Sequence, residues 1–186
     1  MKKIISLFQR NYEGDRLVRN EVVPGAEWVL KGEGKATRKF DGTCCMIKDG
    51  LIFKRYDCKE GKAPPYGFIP AQDPDPITKH WPGWLQCEPT NPNDRWFLEA
   101  FTGKEENGTY ELCGPKVQGD PEHFGKHVLV KHGSVVWNFD PPRDFEGLKK
   151  FFEIHEPSIE GIVWHRENGD MVKIKAKDFG LKRKTA

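Results

Sequence analysis

No stretch of this chain approaches the roughly 20 consecutive apolar residues that a membrane-spanning helix needs. The opening Met1-Lys2-Lys3-Ile4-Ile5-Ser6-Leu7-Phe8 carries an apolar stretch far shorter than a secretory signal, and Gln9-Arg10-Asn11 closes it. Cysteine is also sparse. Cys44, Cys45, Cys58, Cys87 and Cys113 are odd in number and form no C-x-x-C pair, which argues against a disulfide framework or a thiolate zinc ribbon. Free thiols in a cytoplasmic protein are the plain reading. His123 and His127 stand at helical spacing, but Gly125 lies between them and no cysteine pair supports a metal site there. Internal repeats and low-complexity tracts are missing as well. At 186 residues the chain suits one sizeable core and a single domain over 1–186, rather than two full ones.

The net charge is only +2, yet it is uneven. Residues 171–186 hold Lys173, Lys175, Lys177, Lys182, Arg183 and Lys184 against Asp178 alone, a local excess of five positive charges. Such a segment attracts a phosphate backbone, or simply solvates a tail. A second bias lies at 61–94, where eight of the fourteen prolines fall with Tyr66, Phe68, Trp81 and Trp84 among them. This Pro-rich insertion reads either as a lid offering stacking surfaces to single-stranded bases or as a packed irregular segment.

Elsewhere the pattern predicts strands. Ala26–Leu30, Ala36–Phe40, Cys44–Ile47, Leu51–Arg55, Trp96–Phe101, Thr109–Cys113, Val128–Lys131 and Ser134–Phe139 are short apolar or alternating runs. Lys48-Asp49-Gly50 suits a hairpin turn, and Gly161–Arg166 with Met171–Lys175 forms a last hairpin. One helix is predicted, with Asp144 as N-cap and Phe145, Leu148, Phe151 and Phe152 on one face, ending before Pro157. The expected class is α+β with mostly antiparallel sheets.

Lys39-Phe40-Asp41-Gly42-Thr43 is the most informative run, together with Glu160 and the pair Lys173 and Lys175. A lysine amine is almost fully protonated at its reference pKa of about 10.4. Cationic neighbours such as Arg38, Arg55, Lys173 or Lys175 would free it as a nucleophile. Lys173 and Lys175 are two apart on a strand and so share a face. There they could neutralise charge developing on a triphosphate. Asp41 and Glu160 offer oxygen ligands of the kind Mg²⁺ prefers. Gly42 would let backbone approach a ligand closely.

The order K-x-D-G at 39–42, Thr109-Tyr110-Glu111-Leu112-Cys113-Gly114, Glu160-Gly161-Ile162-Val163 and Val172-Lys173-Ile174-Lys175 resembles the covalent nucleotidyltransferase superfamily of ATP-dependent ligases and messenger-RNA capping enzymes. The runs 36–45, 111–119 and 173–180 are similar to RNA ligases, above all to a small 5′-to-3′ RNA ligase family formerly of unknown function. That resemblance implies a minimal, ATP-grasp-like nucleotidyltransferase domain without an OB domain. It implies an ATP-dependent RNA ligase that joins 5′-phosphate to 3′-hydroxyl ends through lysyl-AMP and an adenylated RNA end, with Mg²⁺ or Mn²⁺. Lys39 then matches the adenylated lysine, Asp41 the carboxylate beside it, and Arg55 an arginine on the nucleotide sugar. Glu111 matches a ribose contact, Glu160 the metal-linked carboxylate, and Lys173 and Lys175 the closing lysine pair. The resemblance also implies that Val163 lines the nucleotide site. Arg38 stands where many RNA ligases carry glutamate, so backbone groups near Thr37 and Arg38 are left to read adenine. Val130 and His132 are the stacking candidates. RNA is the implied partner, with no membrane and no obligate protein. A GTP-dependent capping-type guanylyltransferase and a noncatalytic RNA-binding module are the alternatives.

Overall fold

Short runs that alternate inward and outward side chains give the described residues twelve strands. The computed structural model describes residues 1–155 and 158–182. In chain order it places β1 (Ile5–Ser6), β2 (Phe8–Arg10), β3 (Val18–Val22), α1 (Glu27–Leu30), β4 (Lys35–Lys39), β5 (Thr43–Lys48), β6 (Leu51–Cys58), β7 (Ile69–Pro70) and β8 (Trp81–Gln86). There follow α2 (Arg95–Ala100), β9 (Gly108–Cys113), β10 (Val128–Lys131), α3 (Phe145–His155), β11 (Gly161–His165) and β12 (Met171–Lys175). A 3₁₀ turn, Ala176–Phe179, comes after β12. The class is α+β with mostly antiparallel sheets. No described helix is long and apolar enough to cross a membrane.

The chain divides into two units. The first comprises Met1–Lys3 and Asp41–His132. Its six-stranded sheet runs β10-β9-β5-β6-β8-β7, every pair antiparallel. Cys45, Ile47, Ile52, Leu112 and Tyr110 pack with Phe97 of α2 beneath it. The β5–β6 hairpin turns at Asp49 and Gly50, both at positive φ, as the sequence predicted. Gly42 makes a close approach within its own sheet: a Cβ there would lie 2.2 Å from the Leu112 carbonyl oxygen of β9.

The second unit comprises Ile4–Phe40 and the chain from Gly133 onward. Its sheet runs β1-β12-β11-β4, with a β2–β3 pair beside it in the same unit. Ala36, Ile162, Trp164, Val172 and Ile174 bury one face of that sheet with Leu148 and Phe152 of α3. Asp144 caps α3 as predicted: its Oδ1 accepts from the Gly147 N–H at 2.9 Å.

Four expectations fail. Ala26–Leu30 is not a strand but holds helix α1, and Trp96–Phe101 holds helix α2. Both helices are too short for a 3.6-residue period to show. Ser134–Phe139 forms no strand; only Val136 bridges to Thr37. The 61–94 segment is not irregular throughout, since β7 and β8 extend the first unit's sheet. Pro82 and Gly83 hid β8. Gly83 is required because a Cβ there would meet the Phe68 ring at 2.3 Å.

Candidate active site

Strand pairing in the second unit brings its predicted residues onto one face. Lys39 pairs with Gly161, which pairs with Lys175; Thr37 pairs with Val163, which pairs with Lys173. These two rows are two residues apart, so all six positions face the same way, opposite the buried apolar face. Gly161 supplies no side chain between Lys39 and Lys175. A Cβ there would fall 2.3 Å from the Ile174 carbonyl oxygen.

Glu160, just before β11, closes the group. Lys39 Nζ donates to Glu160 Oε2 at 2.6 Å, with only 20% and 13% of the two side chains exposed. Burial pushes the Lys175 amine down to about 8, against the opposing pull of the Asp178 and Glu160 carboxylates. Asp178 is buried beneath this row, where Oδ2 accepts from the Lys175 N–H at 2.9 Å and Oδ1 accepts from Arg10. Thr37 is buried; its hydroxyl donates to the Val163 carbonyl at 3.0 Å and meets His165 Nε2 at 3.1 Å. Arg38 faces the other way from Lys39. It donates to the Ser158 carbonyl at 3.1 Å and lies 5.0 Å from the Phe40 ring centre.

The remaining predicted residues belong to the first unit. Asp41 donates its N–H to Glu122 Oε1 at 2.9 Å. Arg55 lies over the Trp84 ring at 4.7 Å and donates to the Met1 carbonyl at 2.8 Å; burial lowers its pKa. Glu111 is buried on β9 opposite Val130, with Oε2 2.8 Å from His132 Nε2. His127 stacks on Trp96 and meets Glu99 at 2.9 Å, and His123 lies in a turn, so the pair forms no helix-borne metal site. Lys177 and Lys182 of the basic segment are described, whereas Arg183 and Lys184 lie outside the described residues.

The sequence profile of RNA ligase 1 matches residues 99–186. RNA ligase 1 of Danio rerio is 31% identical over a 219-residue alignment covering 79% of this chain and 67% of that protein. The chain belongs to the RNA ligase 1 family. RNA ligase 1 of Mus musculus is 34% identical and that of Pongo abelii 26%, each covering 78% of this chain and 67% of its own. The chain thus spans about two thirds of the length of these RNA ligase 1 relatives. The matched profile takes in Glu111, Glu160, Val163, Lys173 and Lys175, while Lys39, Asp41 and Arg55 precede it.

Sequence reasoning missed Gly161, His165 and the anchoring part of Asp178 in this chain. Gly161 was legible only through register, and Asp178 only as one acid in a basic run. The row itself has clear chemical capacity. It joins an amine, a carboxylate within hydrogen-bonding reach and two further cations, which suits attack on a phosphoryl centre.

Proposed function

We propose that this chain is an ATP-dependent RNA ligase whose nucleophile is Lys39. One observation carries the reading: Lys39 Nζ lies 2.6 Å from Glu160 Oε2 while strand register sets Lys175 across Gly161 from Lys39. Lys39 Nζ sheds a proton, which Glu160 Oε2 is placed to accept, and attacks the α-phosphorus of ATP. The new bond is N–P; the bond that breaks joins the α-phosphorus to pyrophosphate. Lys173 and Lys175 face the charge that builds on the phosphoryl oxygens.

Glu160 offers the hard oxygen that Mg²⁺ or Mn²⁺ takes, so the donor type fits. Asp41, two residues beyond the nucleophile in the chain, is the second carboxylate of the proposal. Such an ion would neutralise phosphate charge and weaken the hold of Glu160 on the lysine proton. The sugar contacts assigned to Arg55 and Glu111, and adenine reading by backbone near Thr37 and Arg38 with Val163 beside it, belong to the same proposal.

AMP then passes from Lys39 to an RNA 5′-phosphate, the lysine regaining its proton. A 3′-hydroxyl attacks that activated phosphate, a phosphodiester forms and AMP leaves. Support for RNA comes from the relatives' name and from the basic residues Lys177 and Lys182. Incubation with α-labelled ATP tests the first step: a label that survives denaturation is expected, and one obtained from GTP instead would favour a capping-type enzyme. A chain that binds RNA but takes no label from either nucleotide is only a binding module.

A further inference from the structure

We propose that Cys44, Glu111 and His132 of the first unit form a binding site for a zinc-type divalent cation. Three adjacent strands build it. Cys44 on β5 lies directly opposite Glu111 on β9, and His132 follows β10, with its N–H donating to the Thr109 carbonyl at 3.0 Å. One ligand atom from each of the three side chains lies within 4.8 Å of the other two. Sulfur, imidazole nitrogen and carboxylate oxygen are the donors zinc takes, and three protein ligands leave a fourth position open. Ligands about 2.0–2.3 Å from a tetrahedral zinc are themselves about 3.3–3.7 Å apart, so side-chain shifts of about 1 Å close the site.

Hydrogen bonding at His132 points the same way. The Thr109 hydroxyl donates to Met1 Sδ at 3.6 Å and lies 2.9 Å from His132 Nδ1. His132 Nε2 lies 2.8 Å from Glu111 Oε2, so two of the three donors already converge. Thr109 would then fix the ring as outer partners of zinc-bound histidines do. Arg55 interacts electrostatically with Cys44. If Glu111 also contacts the nucleotide sugar, which rests on the proposed function, bound zinc and bound nucleotide exclude one another.

Cobalt(II) reports on such a site directly. The full chain, reduced and stripped with chelator, is titrated with Co²⁺ and followed by absorbance. A thiolate-to-cobalt charge-transfer band and the strong visible bands of tetrahedral cobalt are expected, bleached by one equivalent of Zn²⁺. Cys44→Ser should remove the charge-transfer band with an unchanged far-ultraviolet circular dichroism spectrum. His132→Gln should weaken binding by more than about tenfold, and serves alone if the serine variant fails to fold. Buried Cys45 and Cys87, whose thiols are pushed up, in Cys87 to about 12, are poor substitutes. A band that survives Cys44→Ser unaltered, or no thiolate band at saturating cobalt, overturns the site. Adenosine, which carries the sugar without the metal-chelating triphosphate, should weaken cobalt binding; indifference to adenosine overturns the exclusion. A chain that binds cobalt yet takes no label from ATP sinks the ligase reading alone. One that labels but gives no thiolate band sinks the metal site alone.

Discussion

The proposed mechanism gives Lys39 and Glu160 separable duties, and substitutions can tell them apart. Lys39→Arg keeps a cation beside the carboxylate but has no nucleophilic amine, whereas Lys39→Ala removes both. Both should abolish the denaturation-resistant, acid-labile label from ATP that an N–P bond gives. If the arginine variant still labels, Lys39 is not the nucleophile. Glu160→Gln keeps the shape and loses the charge, and should slow labelling by roughly 10²–10⁴-fold, the range for a positioned proton acceptor. Full-speed labelling by that variant, or labelling unaffected by EDTA, would remove the carboxylate and its metal from the mechanism. Lys175 brings a pH dependence. Its amine, lowered to about 8 by burial, loses its charge as pH rises through that value. Labelling should therefore decline above about pH 8, and Lys175→Arg should move the decline upward. Stability has its own sign. The folded pKa is below the unfolded one of about 10.4, so the folded state gains stability as pH rises between the two. Lys175→Met should flatten that slope in denaturant titrations. Lys39, Glu160, Lys173 and Lys175, which the second unit brings together, were visible as residue types in order, because chemistry restricts which side chains can act. What lay between them was not. Gly161 and Asp178 act through register and burial, which no spacing displays.

Elements place this row through pairing, and pairing is where sequence reading succeeded and failed. β4, β5, β6, β9, β10, β11 and β12 were visible because alternation in a half-buried strand repeats every two residues. β8 was hidden by Pro82 and Gly83, residues that usually end strands. The pairing of β8 with β6 on one side and β7 on the other overrides that local signal. α1 and α2, with four and six residues, are held by burial of Trp28, Val29 and Phe97 rather than by any helical period. The β4–β11–β12 pairing is itself open to test. Gly161→Ala would press a methyl group into the Ile174 carbonyl, forcing the strands apart. A cost of about 1–3 kcal/mol is expected, with labelling reduced more than stability alone explains. An alanine variant with unchanged melting temperature and rate would show that the strands tolerate the shift. Asp178→Ala should also destabilise, since the buried carboxylate joins Arg10 to the Lys175 backbone. Arg10 is partly exposed and can recover water, so about 1–2 kcal/mol is reasonable.

At the scale of the whole chain, the proposed reaction contains two acts that need different surfaces. On that reading self-labelling needs ATP and the lysine row, whereas sealing needs a polynucleotide as well. Truncation after Asp178 removes Lys182, Arg183 and Lys184. It should weaken sealing of 5′-phosphorylated RNA while sparing self-labelling. The salt dependence of RNA binding should fall by a logarithmic slope of about 2, from the three lost cations. Equal sealing by the truncated chain would mean those cations only solvate the tail. The Lys39–Glu160 contact also spans time. Its partners are 121 residues apart in sequence, and β12 comes later still. At 5–20 residues per second, a ribosome takes roughly 6–24 s to travel from one to the other. All six strands of the first unit's sheet are synthesised within that interval. Until it ends, a nascent chain carries Lys39 with neither Glu160 nor the β12 amines beside it. On the proposed mechanism, translation aborted before Glu160 would therefore release a fragment that cannot consume nucleotide.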